Sequence, residues 1–310
     1  MKIPFLRPVV PPHVFCLLAE GVTYASVRRS PPRGFSQSRH FPYPPNTLGT
    51  GASGTPLFSR EAVAQAVEAG RRLSEGRLTR ASVLFPDSWA KILPLEVESL
   101  PESPDAAREM VLWKLKKLLP GVTSELSVVF REMAASKGER GERRLLVAAA
   151  PTETLKSIEQ AFESLGVRVG TLAPMSLALF EGLSPLLSSQ AEGDYALLHR
   201  STDSFVFLIA SDGAPLFFRQ RPVDEDEGEH DQEVRLSLSY YSEKLKGQGL
   251  SAVYVHDARG PAAAAQAAES FPVPLAPISA RLVGADGSFD ERVASRPELL
   301  PAFAAVYGRK

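Results

Sequence analysis

Strand-rich openings in each half of the chain constrain the fold most. An apolar run at residues 14–19 meets a turn at Glu20-Gly21, and residues 22–28 then alternate in polarity. Strand-like runs on both sides of a turn read as a hairpin. The pattern restarts at residues 195–199, 205–210 and 215–220, with Ser211-Asp212-Gly213 as a tight turn. Amphipathic helices and short apolar runs follow each opening. Strand meanders joined to crossover helices, in two halves, predict a two-domain α/β protein.

The elements between the openings have their own signals. Ser59 suits the cap of a helix over 60–74, with Val63, Val67 and Leu73 close to one face and Ala62 and Ala66 beside them. Runs at 81–85 and 91–97 read as strands, with Pro86-Asp87-Ser88 turning between them. A second helix is predicted over 104–119. Ser103 is its cap, Pro104 takes the first position, and Val111, Leu115 and Leu118 mark one face. Residues 125–133 and 145–149 are strands around a charged loop at 137–144. Thr152 caps a third helix carrying Leu155, Ile158, Phe162 and Leu165. Gly166 ends that helix, a strand follows at 167–172, and residues 174–187 form a helix and linker. In the second half, Val234, Leu238, Tyr241 and Leu245 mark a helix, and 251–256 is a strand. Alanine-rich 261–270 and residues 297–307 are further helices. Residues 30–55 are a Pro-, Gly- and Ser-rich loop, with one more strand near 35–43.

Composition excludes several classes. The 310 residues suit two ordinary domains, and 44% apolar content supports a sizeable core. Lys plus Arg is 35 against 36 Asp plus Glu, so no general attraction to nucleic acid or anionic lipid follows. One cysteine, Cys16, cannot close a disulfide, and five histidines do not supply a Cys/His zinc site. No apolar run approaches the roughly 20 residues that cross a bilayer. Pro4, Pro8, Pro11 and Pro12 break the N-terminal segment, which reads as an arm rather than a signal peptide.

Catalytic signatures are absent from the sequence. There is no Walker A motif, no dinucleotide GxGxxG, no HExxH and no GxSxG. Cys16 reads as core. Among the histidines, only His199 and His256 both end strands, the edge at which ligands meet α/β sheets, and a rim position is the plainer reading. Residues 224–233 hold seven acidic side chains and read as a solvated face running into a helix. Lys114, Lys116 and Lys117 read as a solvent-facing helix edge.

Several stretches in succession resemble the type IV pilus assembly protein PilM family. The first is Ala107-Arg108-Glu109-Met110-Val111-Leu112-Trp113-Lys114-Leu115-Lys116-Lys117-Leu118-Leu119-Pro120. Next come Arg144-Leu145-Leu146-Val147-Ala148-Ala149-Ala150-Pro151, Leu165-Gly166-Val167-Arg168-Val169, and Leu172-Ala173-Pro174-Met175-Ser176-Leu177-Ala178-Leu179. The meander over 195–223 then falls at the expected place. More distantly, the chain is similar to the cytoplasmic domain of the type II secretion protein GspL. The resemblance implies an actin-like (ribonuclease H-like) two-lobed fold with an inserted accessory subdomain. Residues 1–13 would be an arm, 14–190 the first lobe with the accessory subdomain at about 98–143, 191–296 the second lobe, and 297–310 a helix packing back on the first.

The family's nucleotide lies between lobes, held by acid–glycine hairpin loops. Such a loop needs glycine for close backbone approach, a small hydroxyl and an aspartate to orient metal-bound water. Here the first loop retains Gly21 and Thr23 but no aspartate. The second offers Arg200, Ser201, Thr202 and Asp203, with His199 in the acid position. The third offers Asp257 and Gly260 in place of a glycine run. The expectation is a degenerate ATPase site and a scaffold without cofactor. ATP and magnesium are the alternative, with Arg200 neutralising phosphate and Asp203 and Asp257 as the acids. The resemblance implies a PilN-like membrane protein tail as partner, in a groove near the first helix and the accessory subdomain, together with other platform components. It implies a cytoplasmic location peripheral to the inner membrane, membrane contact only through the partner, and no nucleic acid.

Overall fold

The computed structural model describes residues 11–28, 33–44, 58–119, 124–135, 143–202, 204–223, 227–260, 275–278 and 296–307. The helix expected at 261–270 and Asp203 lie outside the described residues. Two compact units emerge: Met1–Phe85, Ser157–Leu183 and Ser279–Lys310 form one, and Pro86–Lys156 with Ser184–Ile278 form the other.

The first unit is built on β1 (His13–Leu17), β2 (Gly21–Arg28), β3 (Gly34–Pro42), β4 (Arg80–Phe85) and β8 (Arg168–Pro174). Their order is β3-β2-β1-β4-β8. The first three strands pair antiparallel. The β1–β4 and β4–β8 pairs are parallel and require crossovers. Helix α1 (Arg60–Leu73) supplies one, and the Ser59 hydroxyl accepts from the Ala62 amide at 3.1 Å, the cap the sequence predicts. Helix α6 (Leu300–Tyr307) packs on β1, β2 and β4. Phe15 anchors the core, with ring centroids 5.2 Å from Tyr24 and 4.9 Å from Phe162.

Cys16 is fully buried in β1, between Thr23 and Leu84 of the flanking strands. Burial first, and then the Glu298 charge, push its thiol up to about 12. An unfolded thiol ionises near pH 8.5. The folded chain therefore binds the extra proton above that value, and stability falls as pH rises, by about 1.4 kcal/mol per pH unit. A melting temperature measured from pH 8 to 10 is expected to decline more steeply for the wild type than for Cys16→Ala. Parallel slopes would contradict this assignment. At pH 8 a thiol reagent should modify Cys16 only after denaturant is added.

The second unit repeats the same order with β9 (Tyr195–Arg200), β10 (Ser204–Ser211), β11 (Ala214–Pro222), β12 (Ala252–Asp257) and β13 (Leu275–Pro277), arranged β11-β10-β9-β12-β13. Helix α5 (Glu227–Glu243) buries Val234 and Tyr241 against this sheet. A second, antiparallel sheet in this unit has order β5-β7-β6, from β5 (Lys91–Val97), β6 (Leu126–Glu132) and β7 (Arg143–Pro151). Helix α2 (Pro104–Leu118) packs Val111 and Leu115 on Leu95, Val128 and Val147. Ser103 makes no side-chain cap, so Pro104 alone marks the start of α2. The two sheets are stapled together. The Arg144 guanidinium, nearly buried, donates to the carbonyls of Leu216 at 3.1 Å and Ala134 at 3.4 Å, and the Ala134 amide donates to the Pro215 carbonyl at 2.8 Å. The inserted sheet thus spans 91–151, wider than the 98–143 of the sequence reading, and groups with the second unit. The remaining helices are α3 (Thr152–Glu163) and α4 (Met175–Gln190).

Candidate functional site

In the second unit, parallel pairing of β9 and β12 aligns His199 with His256 and Arg200 with Asp257. The two imidazoles stack at 4.9 Å between centroids and share one hydrogen bond, Nδ1 to Nδ1, at 2.8 Å. Nε2 of His199 lies 3.4 Å from the Asp87 carboxylate. All three side chains are buried. Asp87 begins a short 3-10 turn after β4, where Gln220 holds its carbonyl at 2.7 Å and the Ser204 hydroxyl approaches its carboxylate at 3.4 Å. The result is a closed polar cluster whose carboxylate is turned inward.

The sequence-predicted residues surround this cluster. The Ser201 hydroxyl accepts from the Ser204 amide at 3.1 Å and so closes its own turn. Asp257 is buried and accepts from Arg259 through the backbone amide at 2.9 Å and the guanidinium at 2.9 Å. Gly260 has φ +123°, and its amide donates to the Asp257 carbonyl. Arg200 is partly exposed and Thr202 exposed at the hairpin tip. Magnesium takes exposed oxygen ligands in an octahedron. The described residues here do not fit it, because the Asp257 carboxylate is paired with Arg259 and the Asp87 carboxylate is buried against His199.

In the first unit, Gly21 opens β2 opposite Pro42. A Cβ at Gly21 would meet the Phe41 carbonyl oxygen at 2.3 Å, so strand pairing itself requires glycine there. Thr23 is buried, and its hydroxyl hydrogen-bonds His40 Nδ1 at 2.9 Å. Among the described residues no group of three or more His, Cys, Asp or Glu side chains could hold a metal ion.

The second unit also carries an open groove of about 720 Å³ between α2 and β5 on one side and β11 and α5 on the other. Trp113 is 56% exposed there, Leu118 56% and Tyr240 38%. Lys117 Nζ stands 3.5 Å above the Trp113 ring, and Lys114 donates to the Glu96 carbonyl at 2.9 Å. Tyr240 packs on Phe217 at 5.6 Å. The periodicity of α2 assigns Leu118 to the buried face with Val111 and Leu115. It lies in the last turn and lines the groove instead. Sequence reasoning gave Trp113 no role and missed Tyr240. The tandem Tyr240-Tyr241 was the available signal, because adjacent helical residues cannot share one buried face.

Two sheets of one order, each a three-strand meander continued by two parallel strands, with an inserted third sheet, define an actin-like α/β fold. That fold is the one seen in a chain of the PilM–PilN type IV pilus biogenesis complex, at a TM-score of 0.75 and 16% identity over 98% of this chain and 100% of that one. Weaker likenesses include a Bacteroides thetaiotaomicron protein of actin-like ATPase fold and unknown function (TM-score 0.48, 10% identity, 97% of this chain and 99% of that one). Another is the cytoplasmic domain of EpsL, an inner-membrane component of the type II secretion system of Vibrio cholerae (TM-score 0.44, 13% identity, 79% and 81%). No protein-family model and no curated protein sequence matches the chain.

Proposed function

We propose that this chain is a scaffold of a type IV pilus-like inner-membrane assembly platform, held at the cytoplasmic face through a partner, and that it turns over no ATP. The partner is a PilN-like membrane protein whose cytoplasmic tail binds as an extended peptide. The groove carries this reading. It gathers Trp113, Leu118 and Tyr240, three partly exposed apolar side chains, along one concavity, and burying apolar area under a partner stabilises a complex by about 25 cal/mol per Å². Its walls come from α2, β5, β11 and α5. The closed hairpin cluster supports the non-catalytic half of the reading. Weak ATP binding is the second reading, favoured by Arg200 and Thr202 at the hairpin tip. The likeness to the PilM–PilN complex supports the class of partner.

The test uses intrinsic fluorescence. The chain has two tryptophans, Trp89 and Trp113. A synthetic tail peptide from the neighbouring membrane-protein gene is expected to shift the emission to the blue and to saturate. No change up to millimolar peptide would count against the role.

A further inference from the structure

The first unit carries a second, shallow cup of about 510 Å³ at the amino-terminal ends of β4 and β8, lined by Thr79, Arg80, Glu163, Gly166, Val167 and Arg168. Arg80 and Arg168 are direct register partners in this parallel pair, and both are exposed. Like charges placed opposite each other on a sheet destabilise it. Among the described residues neither guanidinium has an ion pair or a side-chain hydrogen bond. The neighbouring arginines are engaged: Arg72 pairs with Glu68, Arg77 with Glu75, and Arg71 donates to the Leu165 carbonyl.

The Arg80 side chain is also seated. The β4–β8 register skips Gly170, which bulges out of the ladder between Val169 and Thr171. A Cβ at Gly170 would meet Arg80 Nε at 2.6 Å and Cζ at 3.2 Å, so the Arg80 side chain passes directly over the bulge. Two arginines, with Thr79 beside them, therefore line one concavity. Glu163 is the one carboxylate in the lining, against Arg80 and Arg168 there and the Arg71 guanidinium beside Gly166, so the cup is net positive. Arginine forks bind the paired oxygens of phosphate esters bidentately.

We infer that this cup is an anion site for a phosphodiester group. The same chemistry is offered by the headgroup of an anionic phospholipid and by a soluble phosphodiester. Neither source depends on the peptide groove, which lies in the other unit.

Two probes separate the sources: glycerophosphoglycerol in solution, and phosphatidylcholine vesicles with and without phosphatidylglycerol. The wild type is expected to bind at least one probe. R80Q/R168Q should weaken that binding by about tenfold or more, as expected for losing charge-assisted pairs. Gly170→Ala should weaken it too, although it removes no charge, because it displaces the Arg80 guanidinium. Arg72→Gln is the control and should bind like the wild type. Without ligand, R80Q/R168Q should melt no lower than the wild type, since it relieves a repulsion. Binding to phosphatidylglycerol vesicles lost in both variants assigns the site to a lipid headgroup. Binding of the soluble diester alone, lost in both variants, upholds the site with a soluble ligand. Failure of the wild type to bind either probe, or unchanged binding by R80Q/R168Q, overturns the inference. Gly170→Ala binding like the wild type overturns the seated-arginine geometry on which it rests.

Discussion

Replacing Trp113 by alanine is expected to weaken tail-peptide binding about thirtyfold, the cost of about 2 kcal/mol typical of an aromatic anchor. Removing Tyr240 as well should bring the loss to several hundredfold, because the two rings line opposite walls of one groove. Neither change should lower the melting temperature much. Trp113 is more than half exposed and Tyr240 partly so, and the buried Val111, Leu115 and Tyr241 keep the core intact. This separation makes the prediction diagnostic. A variant that loses stability and affinity together would show that Trp113 props up α2. A variant that loses neither would remove the groove from the account. Lys117 supplies a finer test, since its ammonium stacks on the Trp113 ring. K117M should cost less than W113A, as an exposed cation–π contact is worth about 0.5–1 kcal/mol.

The second large effect concerns folding. Gly182 lies inside α4, where alanine would ordinarily stabilise a helix by about 1 kcal/mol. Here a Cβ would meet the backbone of Ala304 in α6, at 2.1 Å from its oxygen and 2.4 Å from its carbonyl carbon. Backbone cannot swing aside as a flexible side chain can. Gly182→Ala is therefore expected to destabilise the first unit by about 3 kcal/mol, at the upper end for overpacking. Denaturant unfolding checks both sign and size. A gain in stability would mean that α4 and α6 do not touch here, and the account of the C-terminal helix would fail.

Much of the fold was legible because its signals are local. Ser59 caps α1 through its own hydroxyl, and the turn at Asp212-Gly213 uses positive φ at both residues, as a tight hairpin requires. The strand runs gave two α/β halves, the actin-like fold came from the resemblance of successive stretches, and the strand order came only from the pairing. Signals that depend on the third dimension were not legible. His199 and His256 end strands 57 residues apart, and only the parallel register of β9 and β12 brings their rings together. Asp87 reads as part of a plain turn, yet its carboxylate meets a histidine from the far half of the chain. Gly21 and Thr23 illustrate a different limit. Their types suit a phosphate loop, and the same types are also what pairing with β3 demands at Phe41 and His40. Trp113 went unassigned because helical spacing says which residues share a face but not whether a neighbour covers it.

The most direct test of the central claim is a calorimetric titration of the purified protein with ATP and magnesium. The account predicts no binding heat at millimolar nucleotide, because Asp257 is closed by Arg259 and the Ser201 hydroxyl by its own turn. Saturable, magnesium-dependent heat that disappears in R200A/T202A would contradict it and return the chain to the nucleotide-binding class.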